Sequence, residues 1–170
     1  MERKPVEFNW NLTEMTDRLN DPGFLLVSTK KSGESNVMTI SWGMLGIIWG
    51  RPIFTVLVRP SRYTYEFIED SKVFTVNVPP PELKRWVAIC GSKSGRDIDK
   101  FGEYKIATSP AVHVPTITID ACPVVYECRV VHYNDIIPAQ MDTAVEAESY
   151  GGRDYHRLYF GEIVGVFAAE

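Results

Sequence analysis

Short strand-like runs separated by turns recur along this chain of 170 residues. The first run, residues 24–29, is followed by a polar turn with Gly33 and by a second run at residues 36–42, which is typical of a β-hairpin. Only two or three short helix patterns interrupt the later runs, so the regular alternation of a parallel α/β sheet is missing. The pattern therefore predicts an antiparallel barrel or sandwich. The later runs are residues 53–58, 73–78, 116–119, 124–133 and 157–167.

The length favours a single domain spanning residues 1–170, in which residues 1–20 form an N-terminal arm. The polar, mixed segment 8–21 favours a short helix or an irregular arm. A hydrophobic content of 45% and a charged content of 24% are typical of a globular protein rather than a disordered one. The longest nearly uncharged run, residues 37–50, is shorter than the ~20 residues that a membrane-spanning helix needs. No secretory signal is visible at the start of the sequence. We therefore expect a cytoplasmic protein with no membrane partner.

Charge and motif content exclude several other classes. A net charge of −4 gives no basic footprint for generic nucleic-acid binding, so we expect no nucleic-acid partner. Glycine motifs for a dinucleotide or a P-loop are absent from the sequence. Cys90, Cys122 and Cys128 lack the spacing of a zinc site, and the histidines are scattered. We expect no metal site, and we interpret the thiols as buried small apolar groups in a reducing compartment.

Two short segments combine cationic and hydroxyl side chains. Residues 59–64 (RPSRYT) follow the apolar run 53–58 and precede a predicted helix at residues 61–71, which Ser61 could cap. Guanidinium groups and hydroxyls beside a helix N-terminus suit a phosphate group. Residues 92–96 (SKSGR) repeat the combination around a glycine. Each segment alone is more readily a solvated surface or a surface loop, but together, in an acidic protein, they favour one phosphorylated ligand.

The segment 36–44 (NVMTISWGM) mixes amide, hydroxyl, thioether and indole groups at strand alternation. Such a strip can offer hydrogen bonds and a flat apolar wall to an aromatic ring system. The alternative interpretation is an ordinary half-buried strand whose Met and Trp side chains belong to the core.

The order and spacing of these motifs resemble the flavoredoxin-like branch of the flavin reductase family, the FMN-binding split barrels. The resemblance covers residues 20–167. It implies a mainly β fold, an antiparallel split β-barrel of Greek-key type with a few short helices, which forms a homodimer with FMN near the subunit interface. The motifs are N-x-M-T-x-S-W from Asn36, R-P-x-R-x-T from Arg59, F-T-V-N-V-P from Phe74, C-G-x-x-S-G-R-D-x-D-K-F from Cys90 and H-x-x-x-x-G-E-I from His156.

The resemblance also implies a set of cofactor-binding residues, each taken over by position. Asn36, Met38, Thr39, Ser41 and Trp42 would line the flavin. The phosphate and the ribityl chain would be held by Arg59, Ser61, Arg62, Tyr63 and Thr64, and the phosphate end would be closed by Cys90, Ser92, Lys93, Ser94, Gly95 and Arg96.

The implied activity is that of an FMN-dependent oxidoreductase, either an electron carrier or an NAD(P)H:flavin reductase, with His156 as the candidate catalytic residue near the flavin ring. Relatives that use NAD(P)H often have Asp directly before this histidine, whereas Tyr155 stands there in this chain. A nicotinamide donor and a redox-protein donor therefore both stay open. The competing class is a non-enzymatic split-barrel module that binds haem or another phosphorylated ligand.

Overall fold

Strands dominate the structure, a computed structural model that describes residues 1–169. The helices are α1 (Leu12–Asn20), α2 (Tyr63–Ser71), α3 (Lys84–Ser92), α4 (Lys100–Glu103) and α5 (Thr143–Ser149), with 3-10 turns at Pro81–Leu83 and Pro138–Gln140. The strands are β1 (Lys4–Pro5), β2 (Phe24–Thr29), β3 (Ser35–Ile40), β4 (Gly43–Ile48), β5 (Arg51–Val58), β6 (Val73–Val78), β7 (Thr108–Pro110), β8 (Ile117–Ile119), β9 (Val124–Asp135) and β10 (Arg157–Ala168).

One large sheet has the strand order β3-β2-β6-β9-β10-β5-β4, and β1 pairs with the end of β10. All neighbouring strands in it are antiparallel. The sheet curls so that β3 also contacts β5, and a small second sheet consists of β7 and β8. The prediction of a mainly β, antiparallel fold with a few short helices is confirmed.

The barrel interior holds the main core, where side chains of six sheet strands and of α1 and α2 meet. Phe54 and Tyr126 pack edge to face there, with ring centroids 5.4 Å apart. A second cluster lies outside the barrel, where α3 and β8 cover the other faces of β2, β6 and β9. Strand β6 is buried along its whole length because the main core lies on one of its faces and β8 covers the other.

The segment between residues 35 and 58 differs from the sequence prediction. The predicted strand 36–42 ends at Ile40, and β4 follows, which the sequence did not indicate. Strand β4 turns into β5 through Trp49 and Gly50, both with positive φ (55° and 68°). That backbone fits a two-residue hairpin turn, but tryptophan is not among the residues that signal one. The tight β4–β5 hairpin therefore could not be predicted from the uncharged run that contains it.

Three local predictions need correction or completion. Helix α2 begins at Tyr63 with Arg62 as its N-cap residue, so Ser61 does not cap it. Glu127 alternates with the apolar residues of β9, a pattern that predicts a solvated face, but it is buried because its carboxylate accepts hydrogen bonds from the backbone N–H groups of residues 112 and 113. Residues 12–20 form a helix rather than an irregular arm, and Met15 lies in the main core. No helix in the described part of the chain is long and apolar enough to span a membrane.

Candidate functional site

The pairing of β5 with β10 brings together two segments that are distant in the sequence. Val58 at the end of β5 lies opposite Arg157 at the start of β10. Because the strands are antiparallel, the residues just outside this pair, Arg59 and His156, meet at the same end of the barrel. The segment 59–64, the end of β3 and the loop after α3 all open towards this place.

Two adjoining cavities lie at this end of the barrel. The first has a volume of about 130 Å³ and the second about 170 Å³. Because both are lined by Met38, Thr39 and Arg62, they form one cleft. The first cavity is otherwise lined by Asn36, Ser61, Tyr63, Thr64, Cys90, Gly91, Ser92, Lys93, Ser94, Gly95 and Lys100. The second is otherwise lined by Ile40, Ser41, Trp42, Leu57, Arg59 and His156.

The cleft contains every residue that the sequence predicted for the site except Arg96. Polar and cationic groups surround the first cavity, whereas Met38, Trp42 and Leu57 give the second its apolar walls. The second cavity also carries positive charge, because Arg59 and Arg62 line it beside these apolar walls. The structure also adds lining residues that sequence reasoning missed, namely Ile40, Leu57, Gly91 and Lys100.

Lys100 carries the most informative charge in the first cavity. Only 3% of the residue is exposed, and its ammonium group donates hydrogen bonds to the backbone carbonyls of Val37 and Lys93. Among residues 1–169 it has no ion pair with a carboxylate, and burial lowers its pKa. Buried ammonium groups are normally paired with an anion, so this cavity is short of one negative charge.

Gly95 allows the loop after α3 to lie against β3 and α2. A Cβ atom at this position would stand 2.1 Å from Oδ1 of Asn36 and 3.0 Å from the ring of Tyr63. Asn36 is itself fixed, because its amide donates a 2.8 Å hydrogen bond to the hydroxyl of Thr64. The glycine thus lets backbone line the cavity where any side chain would fill it.

Asp154 ties the segment 59–64 to the loop before β10. Its carboxylate accepts hydrogen bonds from the backbone N–H (3.2 Å) and the hydroxyl (2.6 Å) of Ser61. Arg59 reaches the same loop and donates to the carbonyls of Ser149 (2.8 Å) and Asp154 (3.3 Å). Arg59 and Ser61 are therefore largely engaged with protein groups. By contrast, the Arg62 guanidinium has no ion pair or hydrogen bond within the described chain.

His156 lines the second cavity of the cleft. Its ring centroid is 5.2 Å from that of Trp42, and its Nδ1 lies 2.8 Å from the hydroxyl oxygen of Tyr150. Burial and the nearby positive charge of Arg59 lower the pKa of His156 from 6.5 to about 4, against a smaller opposite effect of Asp154. The imidazole is therefore neutral at pH 7.

Cys90 lines the first cavity and is a buried free thiol. Burial raises the pKa of this thiol to about 11.

The neutral imidazole of His156 makes stability depend on pH. Between pH 6.5 and about 4 the unfolded chain binds this proton and the folded protein does not, so the free energy of unfolding falls as the pH drops through that window. Above pH 6.5 this contribution is fully present. We expect His156→Gln to weaken the pH dependence in that window, measured by urea unfolding at a series of pH values. An unchanged slope would contradict the buried, neutral state.

The fold and the cleft define a split-barrel protein with a cation-lined cleft at one end of the barrel, and comparison with known proteins identifies the family. The family model of the flavin reductase like domain matches residues 19–170. The chain therefore belongs to the flavin reductase-like family. It is also 31% identical over 150 residues to the uncharacterized protein YddH of Escherichia coli (strain K12), covering 86% of this chain and 70% of that protein.

Solved structures agree on the fold. The flavoredoxin of Desulfovibrio vulgaris (Miyazaki F) superposes with a TM-score of 0.69 at 23% identity, covering 88% of this chain and 70% of that chain. An FMN-binding domain of a flavin reductases-like enzyme from Shewanella baltica OS155 gives 0.68 at 22% identity, covering 98% and 77%. The predicted split barrel and the predicted family are thus confirmed.

Proposed function

We propose that this protein is an FMN-binding oxidoreductase that passes electrons through a flavin held in the cleft. The family and the names of its structural neighbours support a flavin as the ligand. Bound FMN would supply the redox chemistry, because it accepts and releases electrons at its ring. The protein's own residues bind, orient and shield it.

The observation that carries the proposal is the uncompensated positive charge at one end of the cleft. Lys100 is buried without a carboxylate partner, and Arg62 lines both cavities without a protein partner in residues 1–169. A phosphate monoester supplies the missing negative charge and accepts several hydrogen bonds at once. We assign the phosphate to this end, with Thr64, Ser92 and Ser94 as the nearby hydroxyl-bearing residues.

The second cavity suits the ring system of the same ligand. Met38, Trp42 and Leu57 provide apolar surface, and Thr39 and Ser41 provide polar groups at the rim. His156 lies beside Trp42 and stays neutral at pH 7, so it can offer either a hydrogen-bond donor or an acceptor to a ring edge without adding charge. We propose that His156 positions the ring and excludes water rather than acting as an obligatory acid or base.

The charge argument predicts which variants lose FMN. Lys100→Met and Arg62→Ala should each weaken FMN binding roughly ten- to hundredfold, because each removes a charge-assisted contact worth about 1.5–3 kcal/mol. Riboflavin, which lacks the phosphate, should bind all variants about equally. Flavin fluorescence titration measures both affinities.

Lys84→Met is the control, because Lys84 lies on α3, whose C-terminal end lines the cleft, but its side chain is exposed and lies 3.7 Å from Asp21. This variant should keep wild-type FMN affinity. If Lys100→Met and Arg62→Ala weakened the binding of riboflavin as much as that of FMN, the two cations would act through the fold or through the flavin ring. The assignment of the phosphate to this end of the cleft would then be wrong.

Electron transfer itself is tested by anaerobic reduction of the FMN-loaded protein with NADH, with NADPH and with a reduced iron–sulfur carrier in parallel. At least one donor should reduce the bound flavin faster than it reduces the same concentration of free FMN. The loss of visible flavin absorbance measures both rates. His156→Ala should retain FMN but slow reduction or reoxidation roughly ten- to hundredfold, because ring position governs transfer. If no donor reduced the bound flavin faster than free FMN, the proposed oxidoreductase activity would be contradicted, and the protein would only bind flavin.

We also propose that the protein is a homodimer, as the family resemblance implies. Large apolar side chains are exposed on β4 and its turn, with Met44 55%, Ile47 58% and Trp49 62% exposed. The ring of Trp49 lies against His132 of β9 and Phe160 of β10, so the exposed surface continues across the sheet. Light scattering should give twice the chain mass. A monomer with stoichiometric FMN would contradict this proposal.

The sequence prediction of a cytoplasmic location remains part of the proposal. Cys90, Cys122 and Cys128 are all free and buried, as thiols of a protein in a reducing compartment would be.

A further inference from the structure

Tyr150 directly follows helix α5 and is buried beside the cleft, with only 8% of the residue exposed. Its hydroxyl oxygen lies 2.8 Å from Nδ1 of His156, the one acceptor that this hydroxyl reaches within residues 1–169. The centroid of its ring lies 6.4 Å from that of Trp42 and 5.5 Å from that of His156, and both of these residues line the second cavity. Tyr150 does not line the cavity, so it acts on a ligand there through its neighbours.

Charge and stacking contacts fix the ring of Tyr150. The guanidinium of Arg59 lies 5.0 Å from the centroid of this ring and donates a 2.8 Å hydrogen bond to the carbonyl of the preceding residue, Ser149. The ring of Tyr155 stacks on that of Tyr150 with 4.9 Å between centroids, and the hydroxyl of Tyr155 donates a 2.6 Å hydrogen bond to Glu146 of α5. The Tyr150 hydroxyl is therefore held in place by contacts of its own ring and loop.

The direction of the hydrogen bond between Tyr150 and His156 follows from what each partner can satisfy. A neutral imidazole has one N–H donor and one acceptor nitrogen, whereas a phenol can donate or accept. If Nδ1–H donated to the phenol, the buried phenolic proton would have no acceptor within the described chain, which costs free energy. If the phenol donates to Nδ1, both groups are satisfied. The geometry therefore favours the tautomer of His156 that carries its proton on Nε2.

Both groups have the required protonation state at pH 7. Burial raises the pKa of Tyr150 against a smaller opposite effect of Arg59, so the phenol keeps its proton. Burial lowers the pKa of His156 to about 4, which keeps the imidazole neutral. Of the charged groups that face His156, Arg59 and Arg62 also disfavour a second imidazole proton, and Asp154 opposes them.

We propose that Tyr150 is a positioning residue that holds His156 as an N–H donor towards the ligand of the second cavity. With Nδ1 engaged by the phenol, Nε2 is the ring nitrogen that has no protein partner within residues 1–169. This inference rests on the proposed function and makes it more specific. The cavity would take the flavin ring by an edge that offers an acceptor, either a carbonyl oxygen or an unprotonated ring nitrogen. An N–H donor at that edge stabilises the negative charge that the ring gains on reduction.

Nitrogen-15 NMR of the full chain without flavin measures the tautomer of His156 directly. In the wild type at pH 7 we expect an unprotonated Nδ1 and a protonated Nε2. Tyr150→Phe keeps the ring but removes the hydroxyl, so signals of both tautomers should be present. The pKa of His156 should also rise by about one pH unit in this variant, because the lost hydrogen bond favoured the neutral imidazole.

Tyr155→Phe is the matched control. It removes a hydroxyl from the ring that stacks on Tyr150, but this hydroxyl bonds to Glu146 and not to His156. The tautomer and the pKa of His156 should therefore remain those of the wild type. Far-UV circular dichroism and urea midpoints check that both variants fold.

The midpoint potential of the FMN-loaded protein, measured by equilibration with redox dyes, tests the effect on the ligand. Tyr150→Phe should lower the potential, because part of the imidazole population then presents a lone pair instead of an N–H group to the ring. Tyr155→Phe should leave it unchanged. In a His156→Ala background, Tyr150→Phe should have no further effect, since Tyr150 acts through His156.

Three results would overturn the role of Tyr150: a wild-type proton on Nδ1, a Tyr150→Phe variant with the wild-type tautomer and pKa of His156, or equal midpoint potentials in Tyr150→Phe and wild type. Each of them leaves the proposed function standing as long as the wild type binds and transfers electrons through FMN. A wild type that binds no FMN overturns the proposed function and, with it, the role of the donor towards the ring.

Discussion

The antiparallel register between β5 and β10 is the constraint on which the site depends. Pairing of Val58 with Arg157 sets Arg59 beside His156, and the hydrogen bonds from Ser61 to Asp154 then fix the segment that follows. A shift of one residue would turn alternate side chains of β10 from the core to solvent, so burial of Tyr159 and Ile163 holds the register. Core packing thus positions a cleft whose own residues contribute little to the core.

Charges are distributed unevenly around that cleft. Outside it, Arg157 is matched with the carboxylates of Asp135 and Glu69. Inside it, Lys100 lies buried against backbone carbonyls, and the partners of Arg59 are mainly carbonyls of the adjoining loop. Uncompensated positive charge costs stability, and a protein retains such a cost where a ligand offsets it.

The sequence was sufficient to predict the strands that bury alternate or continuous apolar side chains. It was also sufficient to predict the motifs that line the cleft. It could not reveal β4, because an uncharged run with a Trp49–Gly50 turn carries no hairpin signal. Lys100 was visible in a motif, but nothing local shows that this lysine is buried while its helical neighbours are more exposed. The burial of Glu127 could not be read from the sequence for the same reason, since the backbone N–H groups that its carboxylate accepts from belong to another loop.

Arg96 shows the limit of carrying roles over by motif position. Its place in the motif groups it with the cleft, and only the side-chain geometry reveals that it points to Ser61 and Glu66 instead. A guanidinium that is paired with a carboxylate and stacked on an aromatic ring, as that of Arg96 is on Tyr63, is a poor partner for an incoming anion, because that contact requires breaking both. Within the described chain, the cations of the cleft that lack such partners are Lys93, Lys100 and Arg62, and these are the ones free to meet a phosphate. The division between cations that build the walls and cations that face the ligand therefore follows from pairing, which the linear sequence does not record.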